Sequence, residues 1–82
     1  VAEVTVYTRP GCPFCSILRT GLQDEGLPFR EIDIWQDPAD ADTVRGLANG
    51  NETVPTVVID DWSAINPPAA DVIEAADARG AR

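Results

Sequence analysis

The sequence contains no lysine, no histidine and no methionine, and its 82 residues include only two cysteines. Two cysteines without histidine fall short of the about four ligands that a zinc site takes. No apolar run approaches the ~20 residues needed to span a bilayer. The N-terminus has neither the basic stretch nor the long apolar core of a signal peptide, and it reads as a strand. A cytoplasmic protein with no membrane partner is expected, in a compartment where a lasting structural disulfide is unusual. Positive charge is scarce: six Arg stand against fourteen Asp and Glu, a formal net charge of -8. Such a chain repels phosphate backbones and anionic lipid, so nucleic acid is not an expected partner. Repeats, low-complexity tracts and linkers are also absent. Residues 1–82 are expected to form one domain and a monomer, burying about 60–65% of the unfolded chain's surface.

What is present is a periodic pattern. The 44% hydrophobic content is that of a globular chain rather than a disordered one. Alternation around Val4 and Val6 predicts a strand over about residues 3–8. Phe14, Ile17, Leu18, Gly21 and Leu22 then fall on one face of a helix, which Gly26 and Leu27-Pro28 end. Phe29 to Trp35 reads as a second strand with Ile32 and Ile34 on one face. Asp37-Pro38 starts a second helix, with Asp37 as its N-cap and Ala41, Val44, Leu47 and Ala48 inward, and Asn49-Gly50-Asn51 stops it. Val54 to Ile59 is a third strand, Asp60-Asp61 a tight turn, and Trp62 to Ile65 a fourth strand. Asn66-Pro67-Pro68 caps a last helix whose inner face is Ala69, Val72, Ile73 and Ala76. The order β-α-β-α-β-β-α implies a right-handed parallel first βαβ unit and an antiparallel hairpin for the last two strands.

The two cysteines both lie in Cys12-Pro13-Phe14-Cys15, between the first strand and the first helix. A strand that delivers a Cys-x-x-Cys pair to a helix start is suited to thiol–disulfide exchange. A structural bridge closing so small a loop would contribute little. The attacking species is the thiolate, which is only about 3% of an ordinary cysteine at pH 7. With Cys12 at the N-cap and Pro13 at the first helical position, the free N–H groups of Phe14 and Cys15 are expected to face the Cys12 sulfur and favour its charged form. Cys12 is thus the expected exposed nucleophile, and Cys15 the more buried resolving thiol. Arg9 and Arg19 are the only charges between Val4 and Gln23, so the cysteines should sit in a locally positive setting. Arg9 reads equally as a substrate contact or a solvated surface residue. Phe14 reads as core, with its edge lining the site. Tyr7 reads as a packed strand residue, and Trp35 and Trp62 as structural or partner-facing. Asn66 reads as a helix cap that also reaches substrate, and Asp71 complements the dipole of the last helix.

This element order, with Cys-Pro-Phe-Cys after the first strand, resembles the glutaredoxins, the small form of the thioredoxin fold. The likeness rests on Val4-Thr5-Val6-Tyr7-Thr8, Cys12-Pro13-Phe14-Cys15, Thr53-Val54-Pro55 and the helix start near Asp71, spanning nearly the whole chain. It implies an α/β fold with a four-stranded mixed sheet and helices on both faces. It also implies a dithiol oxidoreductase acting on oxidised or thiolated proteins, with a low-molecular-weight thiol as co-substrate and no tightly bound cofactor. The matching Val-Pro bond in the family is cis, which reverses the base rate for Val54-Pro55 of about 5–6% cis. Val54 would then pair its backbone with the peptide-like part of the substrate, and the Asp71 region would contact the small thiol. Within the family, the stretch Gly50 to Val57 and Asn66 to Val72 resemble mycoredoxins, which use mycothiol in place of glutathione. Glutathione-using relatives carry a Gly-Gly-(Cys/Ser)-Asp segment where this chain has Asn66-Pro67-Pro68-Ala69-Ala70-Asp71, and two prolines remove two N–H donors. Two further readings remain open. Trp62 to Pro67 resembles a segment of glutaredoxin-like redoxins that feed ribonucleotide reductase and draw electrons from an NADPH-dependent thioredoxin reductase. A [2Fe–2S] carrier dimer bridged through Cys12 is the non-enzymatic alternative.

Overall fold

A computed structural model describes residues 3–48, 50 and 54–80. Their elements are β1 (Val4–Thr8), α1 (Pro13–Asp24), β2 (Arg30–Asp33), α2 (Pro38–Leu47), β3 (Thr56–Ile59), β4 (Trp62–Ile65) and α3 (Ala69–Ala78). The sheet runs β2-β1-β3-β4, with β1 parallel to β2 and antiparallel to β3, and β3 antiparallel to β4. This is the expected element order and a mixed four-stranded sheet.

Period-2 alternation in β1 separates two cores. Val4 and Val6 meet Leu18 and Leu22 of α1, Val57 and Ile59 of β3, and Val72, Ala75 and Ala76 of α3. Tyr7 points the other way and packs against a smaller cluster of Cys12, Cys15, Ile34, Ala41, Val44 and Val54. Helices therefore cover both faces: α1 and α3 one, α2 the other. The cysteine pair belongs to the smaller cluster, at the C-terminal end of β1.

Several local expectations are corrected. The wide apolar stripe of α1 is divided. Cys15, Leu18 and Leu22 are the buried residues, while Phe14 and Ile17 are 57% and 68% exposed. The first three lie at i, i+3 and i+7 and face the sheet, whereas Phe14, Ile17 and Gly21 turn toward the start of α3. Phe14 is thus not a core residue. The second strand stops at Asp33, because the Asp33 carboxylate accepts the Trp35 N–H at 2.9 Å and turns the chain, although Ile34 N–H still donates to Thr8 C=O at 2.9 Å. Leu47, expected inward, is 38% exposed, and the buried residues of that helix are Ala41 and Val44, followed by Ala48. Asp37 is the N-cap of α2 as expected, its carboxylate accepting the Ala39 N–H at 2.9 Å. At the far end Gly50, at φ +92°, donates its N–H to Arg45 C=O at 2.7 Å, while Asn49 and the stretch Asn51, Glu52 and Thr53 lie outside the described residues. Asn66 does not cap α3. The N-cap is Pro68, with no side-chain hydrogen bond, and Asn66 takes φ +50° to end β4.

Candidate functional site

Cys12 is the N-cap of α1, in extended conformation, with Pro13 at the first helical position. Of the two amides expected on its sulfur, that of Cys15 makes the contact, donating to Cys12 Sγ at 3.3 Å. Across the site, Cys12 Sγ lies 3.8 Å from Val54 C=O. The Val54–Pro55 bond is cis, Pro55 is fully buried, and its C=O accepts the Asn66 N–H at 2.7 Å. The site thus joins three segments far apart in sequence: the start of α1, the Val54-Pro55 entry to β3, and the end of β4. Both cysteines are free thiols.

The sulfurs are unequal, but less openly than expected. Cys12 is 9% exposed, so it is recessed rather than exposed, because its side chain packs with Val54 and Ile34; Cys15 is 1% exposed. Burial, then the hydrogen bond with Cys12, pushes the Cys15 thiol up from 9.0 to about 12, against smaller opposing effects from the Arg9 backbone and the Arg19 charge. Cys15 is therefore held neutral at pH 7.

The expected positive setting is also corrected. Parallel pairing sets Glu31 opposite Val6 and Asp33 opposite Thr8, and Glu31 reaches Arg19 while Asp33 lines the same cleft as Arg9. Arg19 engages Glu31 through two hydrogen bonds, Nε to Oε1 at 2.6 Å and Nη2 to Oε2 at 2.7 Å. These bonds hold the Glu31 carboxyl below its ordinary value, helped by the buried Thr8 hydroxyl, which donates to Oε2 at 3.2 Å. The charge balance beside Cys12 is thus set by register, which the chain order alone does not reveal.

Surface clefts lined by the described residues open near the pair and beyond it. One of about 470 Å³ is lined by Arg9, Cys12, Pro13, Ser16, Glu31 and Asp33, among others. A second, about 270 Å³ and largely apolar, lies between Phe14 and Ile17 of α1 and Asn66, Pro67 and Pro68 before α3. Asp71 belongs to neither. It lines a third cleft with Trp62, Glu74 and Arg79. Of the residues singled out in the sequence, Cys12, Cys15, Pro13, Val54 and Pro55 meet at one point, Arg9, Phe14 and Asn66 border it, and Asp71 opens onto a separate groove. Thr8, Ser16, Glu31 and Asp33 carry no site role in the sequence reading. The βαβ unit implied a parallel β1–β2 pair, but nothing in the sequence states its register.

Among the described residues no group of three or more acidic, Cys or His side chains could hold a metal ion, and no helix is long and apolar enough to cross a membrane. The glutaredoxin family model matches residues 4–62. The chain is 38% identical over 74 residues to a Mycobacterium tuberculosis protein named as a glutaredoxin, covering 90% of this chain and 88% of that one. It is 39% identical over 74 residues to mycoredoxin 1 of Corynebacterium glutamicum, covering 89% and 91%. The structure of the NrdH-redoxin of Escherichia coli, described as a glutaredoxin-like protein with a thioredoxin-like activity profile, superposes with a TM-score of 0.72 at 28% identity, over 89% of this chain and 92% of that one. With a thioredoxin-like sheet, an adjacent pair of free thiols at a helix start and matches of this extent, the chain belongs to the glutaredoxin family.

Proposed function

We propose that the chain is a cytoplasmic thiol–disulfide oxidoreductase that reduces mixed disulfides between proteins and a small thiol, and that mycothiol is the small thiol. The observation that carries the reading is the asymmetry of the pair: Cys12 Sγ receives the Cys15 amide at 3.3 Å at the start of α1, while the Cys15 thiol is buried and held neutral. Cys12 is the nucleophile. Its thiolate attacks the small thiol's sulfur in a protein–S–S–R disulfide, the protein thiolate leaves and takes a proton, and Cys12–S–S–R remains. A second small thiolate then attacks the R sulfur, giving RSSR and restoring the Cys12 thiolate. In the two-cysteine route Cys15 loses its proton and attacks Cys12 Sγ instead, expelling RS⁻ and closing a disulfide that an NADPH-dependent reductase must reopen. Each route moves two electrons and needs no metal or organic cofactor.

Val54, placed 3.8 Å from Cys12 Sγ by its carbonyl, offers backbone groups to the peptide-like part of the bound partner, with Pro55 shaping that edge. Pro13, Phe14 and Asn66 border the approach, and Arg9 supplies positive charge. Asp71 acts at longer range, from the first turn of α3. Mycothiol is favoured because Pro67 and Pro68 lack the N–H groups with which a Gly-Gly segment grips a γ-glutamyl end, and because mycoredoxin 1 is a full-length relative. The likeness to the NrdH-redoxin favours a second reading, an electron donor to ribonucleotide reductase recharged by thioredoxin reductase.

One comparison separates the two. The oxidised protein is offered mycothiol, glutathione, or thioredoxin reductase with NADPH, and the rate of reduction is followed. Fast reduction by mycothiol supports the first reading, and fast turnover with the reductase alone overturns it. In the same assay Cys12→Ser should abolish mixed-disulfide reduction while Cys15→Ser keeps part of it. The opposite pattern would reverse the assignment of nucleophile and resolving thiol.

A further inference from the structure

A hydrogen-bonded network of three side chains lies on the β2 side of Cys12 and takes no part in the exchange steps. Thr8 of β1, Arg19 of α1 and Glu31 of β2 line one cleft together with Cys12. Both oxygens of the Glu31 carboxylate are engaged. Oε1 accepts the Arg19 Nε–H at 2.6 Å, and Oε2 accepts the Arg19 Nη2–H at 2.7 Å and the Thr8 hydroxyl at 3.2 Å. Thr8 is buried, so one anchor of that carboxylate is fixed in the end of β1. Arg19 lies four residues after Cys15, on the same face of α1, and its charge is within electrostatic reach of both sulfurs. A guanidinium acting alone there would stabilise a thiolate. The two-point pair instead sets a full negative charge against it.

Other charged and titratable groups also face the pair. Arg9 and Asp33 line the same cleft. Tyr7 of β1 packs on the cysteine cluster, to which α2 contributes the uncharged Ala41 and Val44 and the entry to β3 contributes Val54. The Cys12 sulfur itself touches uncharged backbone, the Cys15 amide and the Val54 carbonyl. We infer that Glu31 is a positioning residue of the thiol pair: it clamps Arg19 and offsets its charge, and so keeps the Cys12 thiolate from becoming too stable to attack well. A more stabilised thiolate is a weaker nucleophile and a better leaving group, which would turn the pair from a reductant of mixed disulfides toward an oxidant. The inference rests on the reading of Cys12 as nucleophile and names the residues that tune it. The Arg19 and Glu31 side chains are 37% and 33% exposed, so water and salt screen them and the effect is severalfold rather than many orders of magnitude.

Absorbance at 240 nm reads the thiolate of the intact reduced chain as pH is varied, with Cys12→Ser as the blank. The comparison is made at the pH where about one-tenth of the parent's Cys12 is thiolate. Glu31→Gln, which releases the Arg19 charge, is expected to raise that fraction about threefold, and Arg19→Gln, which leaves the carboxylate without its cation, to lower it by a similar factor. The double variant should return near the parent, and Arg19→Lys, which keeps the charge, should stay near it. In a dithiothreitol redox buffer, Glu31→Gln should hold less of the Cys12–Cys15 disulfide than the parent and Arg19→Gln more. A purely structural role would move both single variants in one direction, because each breaks the same two bonds. Shifts in one direction, an unchanged thiolate fraction or disulfide content in either single variant, or Arg19→Lys behaving as Arg19→Gln overturns the inference. A parent unable to reduce bis(2-hydroxyethyl) disulfide overturns the oxidoreductase reading, an outcome separate from the direction of the thiolate shifts.

Discussion

The inequality of the two sulfurs can be read directly by alkylation. Cys15 is 1% exposed and its thiol is pushed up from 9.0 to about 12, first by burial and then by its hydrogen bond with Cys12. At pH 7 a thiol of pKa about 12 is roughly one part in 10⁵ thiolate, against roughly one part in a hundred at 9.0, and only the thiolate reacts at a useful rate. Charge alone should therefore slow Cys15 by about a thousandfold relative to an ordinary cysteine, before any loss of access is counted. Reduced protein treated with iodoacetamide at pH 7 should accumulate a single adduct, placed on Cys12 by peptide mass spectrometry. The second adduct should appear about tenfold faster for each pH unit between 7 and 10, as the thiolate fraction of Cys15 grows. The same shift has a stability consequence. The neutral Cys15 thiol is favoured by the fold, so its contribution is fully present below the unfolded pKa and is lost as pH rises from 9.0 toward about 12. Denaturation midpoints should fall over that window in the native chain, and less steeply in Cys15→Ser. Equal labelling of both cysteines at pH 7, or a Cys15 rate that is flat with pH, would refute the assignment of a buried neutral thiol.

Other perturbations probe the frame around the pair. A Cβ added at Gly21 would sit 2.7 Å from the Ala69 Cβ, so Gly21→Ala should force α1 from α3 and cost about 1–3 kcal/mol, partly offset by about 1 kcal/mol of helix propensity. A urea midpoint at or above that of the parent would show that the two helices have room to spare, whereas adding Ala69→Gly should restore most of the loss. Glu31→Gln removes a carboxyl held below its ordinary value by Arg19. The parent's Glu31 contribution is present above about pH 4.3 and lost as pH falls through the lower folded value, so the acid-side slope of stability should flatten in the variant; an unchanged acid limb would count against the pair. Asn66 holds φ +50°, so Asn66→Val should cost about 1–3 kcal/mol and Asn66→Gly much less. Equal thermal midpoints for the two variants would place the strain elsewhere. A visible absorption band in freshly purified protein would support a [2Fe–2S] carrier, and its absence under anaerobic preparation is the expected outcome.

The order of elements was legible because each announces itself locally. The β1 alternation, the Asp37-Pro38 helix start and the Cys12-Pro13 helix start need only neighbouring residues, and all three appear in the structure. Errors arose where a side chain's fate depends on what packs opposite. Periodicity places Phe14 and Ile17 on an apolar face, but the sheet reaches only Cys15, Leu18 and Leu22, leaving the other two beside Pro67 and Pro68. Asn66 resembled a cap because Asn before a helix usually is one, yet its N–H is drawn to Pro55 C=O across the sheet edge.

The candidate site divides along the same line. By itself the sequence carried the signal of the chemistry, because two cysteines separated by two residues at a helix start suit thiol–disulfide exchange. Tertiary structure decided the surroundings. Only the fold brings Val54 C=O to 3.8 Å from the Cys12 sulfur, buries Cys15 until its thiol stays neutral, and lays β2 beside β1 so that Glu31 pairs with Arg19 and Asp33 lines the same cleft as Arg9. Spacing along the chain is a local property. Register, burial and charge balance are set between segments that the chain order keeps apart.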